Sequence, residues 1–97
     1  MTVEIDHEEC RIRQRSVVET LNERRKSIKM SLRELESFSG IRHSTISDIF
    51  RKHDIRLWQV FAIAQALDYT IPTLIMVADA RYRNAIRREA DYDEYEE

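Results

Sequence analysis

Residues 31–67, SLRELESFSGIRHSTISDIFRKHDIRLWQVFAIAQAL, decide how this chain folds. Ser31 and Glu34 stand three apart, the spacing of a capping box, in which a hydroxyl and a carboxylate serve the exposed amides of a helix's first turn. Leu32 and Leu35 then face inward. Gly40 ends that helix, because a sharp helix-to-helix turn needs a left-handed residue that glycine adopts without strain. Ile41 returns to the core. A third helix over roughly His43–Arg51 buries Ile46, Ile49 and Phe50 and leaves His43, Ser44, Ser47 and Asp48 outward. Beyond the short loop Lys52–Ile55, a fourth helix over about Arg56–Leu67 carries Leu57, Val60, Phe61, Ile63, Ala64 and Leu67 on a wide apolar face. Trp58 reads as a half-buried packing residue.

The flanks extend the helical pattern in both directions. On the N-terminal side, Asp6 and Glu9 have capping-box spacing, and Cys10, Gln14, Val17, Val18 and Leu21 recur on one face at three- and four-residue steps. This first helix fades in the polar stretch Arg24–Lys29. On the C-terminal side Thr70 caps a fifth helix, with Pro72 in the first turn, where its missing N–H costs nothing. Its apolar stripe is Ile71, Leu74, Ile75, Ala78, Tyr82, Ala85 and Ile86, followed by a tail, Asp91–Glu97.

One glycine and one proline in 97 residues exclude an all-β fold and a glycine-rich phosphate loop, both of which need many turn residues. The expected fold is all-α, a compact five-helix bundle containing a helix-turn-helix, with an extended C-terminal helix. Residues 1–10 form an acidic segment and the start of the first helix, residues 11–76 the helix-turn-helix domain, residues 77–90 a helical extension, and residues 91–97 an acidic tail. A single cysteine, Cys10, on the inferred apolar face, points to packing and to a reducing compartment. The opening residues have the wrong charge for a secretory leader, and Val60–Ala64 and Leu74–Ala78 are too short to span a bilayer. A cytoplasmic protein without membrane contact is expected.

The net charge of −2 hides a segregated distribution. Residues 11–56 hold twelve Lys and Arg against six Asp and Glu, residues 81–90 four Arg against Glu89, and both chain ends are acidic. A basic body suits a polyanionic partner, although a solvated surface with acidic ends is equally consistent with charge alone. His7, His43 and His53 are scattered with no ligand spacing, and no serine sits in a nucleophile elbow. No metal, no cofactor and no enzymatic activity are expected.

Ser31-Leu32-Arg33-Glu34-Leu35, Gly40-Ile41, Ser44-Thr45-Ile46-Ser47, Ile63-Ala64-Gln65-Ala66-Leu67 and Leu74-Ile75 together resemble the Cro/lambda-repressor-like helix-turn-helix family, also called the xenobiotic-response-element type. The resemblance implies a lambda-repressor-like bundle whose third helix enters the major groove of double-stranded DNA. By position it makes Arg42, His43, Ser44, Ser47 and Asp48 the base contacts. Arg42 would bridge guanine O6 and N7, and Asp48 would accept from cytosine N4. Ser31, Arg33, Thr45, Arg51, Lys52 and Arg56 fall where the phosphate backbone is approached. Glu36 departs from the small alanine usual there and must tilt outward or find a partner such as an arginine. Ser39 stands where an apolar residue is usual, and Asp48 where a base or amide is common.

The implied function is sequence-specific transcriptional regulation, with repression by promoter occlusion in a phage, prophage or small bacterial setting. The alternative is an antitoxin-like module that neutralises a partner protein and autoregulates through the same motif. The stripe Ala78, Tyr82, Ala85 and Ile86 extends past the resemblance and needs a cover, either the first helix or a second copy. A homodimer through it would require an inverted-repeat operator. Arg81, Arg83, Arg87 and Arg88 would rim that contact.

Overall fold

The computed structural model describes the backbone of residues 4–94 and the side chains of residues 4–88. Five helices follow in order: α1 (His7–Ser27), α2 (Leu32–Ser39), α3 (His43–Lys52), α4 (Leu57–Ala66) and α5 (Ile71–Glu94), with no strand among the described residues. No single helix is long and apolar enough to cross a membrane among the residues described.

The capping chemistry sets the boundaries. Asp6 Oδ1 accepts from the Glu8 and Glu9 amides, so α1 starts where the acid stands, although Glu9 turns to Arg13 rather than closing a box. At α2 both halves of the box form, each at 3.1 Å. Gly40 closes α2 at φ 76° with its N–H on the Glu36 carbonyl. Three further helix ends turn through the same left-handed region without glycine, at Lys29, His53 and Asp68. Thr70 Oγ1 accepts from the Thr73 amide and starts α5.

A single core joins all five helices. Val18 and Leu21 come from α1, Leu35 from α2, Ile46 and Ile49 from α3, Ile63 and Ala64 from α4, and Leu74 from α5, with Ile41 and Leu67 entering from the turns. Because α2 and α3 both insert into this cluster, the angle across Gly40 is fixed by packing on either side of it.

Several sequence expectations are corrected. Cys10 and Gln14 are exposed, because the N-terminal half of α1 runs beyond the core, and Gln14 instead donates to the His53 carbonyl at 2.8 Å. Leu57 and Phe61 lie outside, since α4 turns Gln59, Ile63 and Ala64 inward and its apolar content exceeds the face it can bury. Trp58 is exposed by 58% rather than half-buried. The fifth helix continues through Glu94, so residues 91–94 of the expected tail are helical, while residues 95–97 lie outside the described residues.

α5 packs along α1. Ala78 and Tyr82 are buried there, which leaves neither at the surface for a second copy. Arg13 of α1 covers the Tyr82 ring at 4.2 Å and donates to Asp79 and Glu9, while Arg81 of α5 reaches Glu19 and Glu23 on the other side. Burial, with Glu9 nearby, pushes the Tyr82 phenol above its ordinary value. Arg81 and Arg83, expected at the rim of a dimer, are thus engaged within the chain, Arg83 with Asp79 at 2.8 Å. Ala85 and Ile86 remain exposed.

Candidate nucleic-acid interface

The candidate surface begins at the N-terminus of α2. Ser31 Oγ accepts from the Glu34 amide, so its own hydroxyl proton stays available to a phosphate oxygen. The Ser31 amide holds the Glu34 carboxyl below its ordinary value. Arg33 is exposed in the same first turn. A negative group beside these amides interacts favourably with the helix N-terminus.

Beyond Gly40 the chain dips to Ile41, which is buried, and rises to Arg42 at the N-cap of α3. Arg42 is exposed and its side chain makes no capping bond, so its guanidinium projects from the start of the helix without an ion pair among the described residues. The cap comes from α2 instead. Glu36 Oε1 accepts from the His43 amide at 2.8 Å and meets His43 Nδ1 at 3.1 Å. These bonds hold the Glu36 carboxyl below its ordinary value, the amide contributing most and Arg33 adding a little. Of the two expected outcomes, Glu36 therefore finds a partner, and the partner is His43. Ser39 turns its hydroxyl to the Ile41 amide at 3.2 Å, which explains a polar residue there.

Along α3, Ser44, Ser47, Asp48 and Arg51 follow at three- and four-residue steps and all are exposed. They share one face, opposite Ile46 and Ile49. Asp48 Oδ1 is bonded to Arg51 Nη2, so the middle of this face carries a paired charge and not a bare carboxylate. Thr45, Asp48, Lys52, Arg56 and Trp58 line a common groove of about 370 Å³ between α3 and α4. The Arg56 amide is held by Gln59 Oε1 at 2.8 Å, which fixes the end of the loop that leads from Lys52 at the end of α3 to α4.

The structure thus gathers Arg42, His43, Ser44, Ser47, Asp48 and Arg51 on α3, with Thr45, Lys52 and Arg56 beside them. Ser31 and Arg33 stand apart on α2. The sequence reading placed two of these residues incompletely. Trp58, read as a packing residue, lines the groove. Glu36, expected to need a partner, finds it in His43 across a turn at a separation of seven residues, which no helical periodicity signals. Among the described residues no group of acids, histidines and cysteines is arranged to hold a metal ion.

A family model described as helix-turn-helix matches residues 21–74, which span the end of α1, all of α2, α3 and α4, and the start of α5. No curated protein and no solved structure matches the chain.

Proposed function

Because this chain belongs to the Cro/C1-type helix-turn-helix family, a family of DNA-binding regulators, we propose that it is a sequence-specific repressor that reads the major groove of an inverted-repeat operator through α3. One observation carries the reading. Ile46 and Ile49 anchor α3 in the core, while Arg42, Ser44, Ser47 and Asp48 stand exposed along it. A helix so held presents hydrogen-bonding groups on a rigid support, as direct readout of base edges requires. Recovering the sequences bound from a pool of random duplexes tests it. A single enriched motif is expected, and recovery no better than the input pool would overturn the reading.

The two kinds of contact respond differently to substitution. Arg42→Ala should cost about 1–3 kcal/mol on the enriched site and relax the preference at one base pair. Lys52→Ala or Arg56→Ala should weaken all duplexes alike and reduce the salt slope by about 1. Titrations against the site and a scrambled duplex separate the outcomes. Equal loss on both for Arg42→Ala moves that residue to the backbone.

Two copies on a two-fold axis place their recognition helices about 34 Å apart, one DNA turn. The surface supporting this is the part of α5 that α1 leaves uncovered: Ile75, Met76 and Val77 in its first half, Ala85 and Ile86 in its second. Their exposure forgoes roughly 25 cal/mol for each Å² of apolar surface left in water. Met76→Glu or Ile86→Glu should yield a monomer with unchanged helicity by light scattering. Tyr82→Glu is the wrong probe, because it would place a charge under Arg13 inside the chain. A wild-type monomer at high micromolar concentration would remove the dimer and leave this surface to another protein.

A further inference from the structure

We propose that Glu36 is a positioning residue that selects which nitrogen of His43 faces DNA, and thereby which base that histidine accepts. The inference rests on α3 being the base-reading helix. His43 is the first residue of α3, and its side chain is about two-fifths exposed. Its Nδ1 lies 3.1 Å from Glu36 Oε1, and among the described residues Nε2 makes no hydrogen bond.

The carboxylate decides the tautomer. Glu36 is held below its ordinary value and is ionised at neutral pH, and an ionised carboxylate only accepts. Nδ1 therefore carries the proton in both charge states of the ring. Nε2 alone changes role, accepting when the ring is neutral and donating when it is an imidazolium. In the major groove a neutral Nε2 accepts from the amino group of adenine or cytosine, whereas the opposite tautomer would turn an N–H toward acceptors such as guanine O6 or N7. The bond to Glu36 thus selects an amino-bearing base.

Few charges bear on the pair. From α2 they are Glu36 itself and Arg33, and from the turn Arg42, the preceding residue. Within α3 the next turn offers Ser47, and Asp48 is taken up by Arg51. α1 meets α3 about two turns further on, where Arg25 lies over Phe50 and Glu19 faces His53. The amide bond from His43 to Glu36 caps α3, and this alone would give Glu36 a purely structural part. The ring bond adds a consequence that capping does not have, a preference for a base that carries an amino group.

Two measurements on the full chain test this. Nitrogen-15 NMR of the free protein at about pH 8 should show His43 protonated at Nδ1, and Glu36→Ala should lose that pattern while circular dichroism shows retained helices. On duplexes carrying each base pair at the contacted position, at about pH 8, the wild type should prefer adenine or cytosine by roughly three- to tenfold, the range of one hydrogen bond. Glu36→Ala should shrink this preference, and His43→Ala should abolish it. Protonation at Nε2 in the wild type, or a base preference unchanged in Glu36→Ala, overturns the proposal. Absence of binding to every duplex overturns the DNA reading and the specificity role with it, and the NMR result then leaves Glu36 as a helix cap.

Discussion

Raising the salt from about 50 to about 200 mM is expected to weaken binding of this chain to duplex DNA by roughly 10³–10⁵. Phosphates neutralised by Lys and Arg release condensed counterions, and log affinity falls against log salt with a slope of about −0.9 for each contact. Arg33, Arg42, Lys52 and Arg56 are exposed around α2, α3 and the following loop, and none of them is in an ion pair among the described residues. Arg51 counts for less, since a phosphate must compete with Asp48 for it. The two protomers of the proposed dimer would therefore present about the number of contacts that gives this loss. One protomer acting alone would show about half the slope, near −3.6. Fluorescence anisotropy with a labelled duplex at several salt concentrations reads the slope directly. A slope close to zero would mean that the basic body of the chain does not meet phosphate.

Ile46→Ala is expected to lower stability by about 2–5 kcal/mol, a large part of the total for a domain of this size. Ile46 has no exposed surface and packs in the cluster that joins all five helices. Truncation removes its transfer energy and leaves a cavity between the helices flanking Gly40. The melting temperature should fall by about 4–8 °C for each kcal/mol. Ser47→Ala, one residue further along and exposed, should stay within about 0.5 kcal/mol. Thermal melts followed by circular dichroism distinguish the two, and similar shifts for both would show that α3 is not anchored as described.

The parts of the fold legible in the sequence are those fixed by local chemistry. Ser31 and Glu34 announce a helix start because both halves of a capping box lie within one turn. Gly40 announces the turn because no other residue type adopts that conformation as cheaply. Ile41, Ile46 and Ile49 reveal their inward face through spacing alone. The misread residues are those whose surroundings come from distant elements. Leu57, Phe61 and Trp58 have the composition of a buried face, yet only the far side of α4 meets the core. Ala78 and Tyr82 left two covers open, the first helix or a second copy, because α1 lies more than fifty residues earlier and only the structure shows Arg13 reaching Tyr82 and Asp79 across that interval. The candidate contacts on α3 were legible as exposed positions. The pairing of Glu36 with His43 was not, because it depends on how sharply the chain bends at Gly40.

The three helix ends that turn left-handed at Lys29, His53 and Asp68 bear on how this protein can change over evolutionary time. Each holds a side chain in a conformation that costs roughly 1–2 kcal/mol and that glycine would relieve. Lys29 and Asp68 belong to none of the candidate contacts on α3. Most substitutions reduce stability, and a domain with a small margin loses its fold before it gains a new property. Here the means of compensation lie at α1 and α4, apart from the candidate contacts on α3. If α3 reads DNA as proposed, strained and replaceable helix ends beside an exposed reading face favour divergence in sequence preference without loss of the fold.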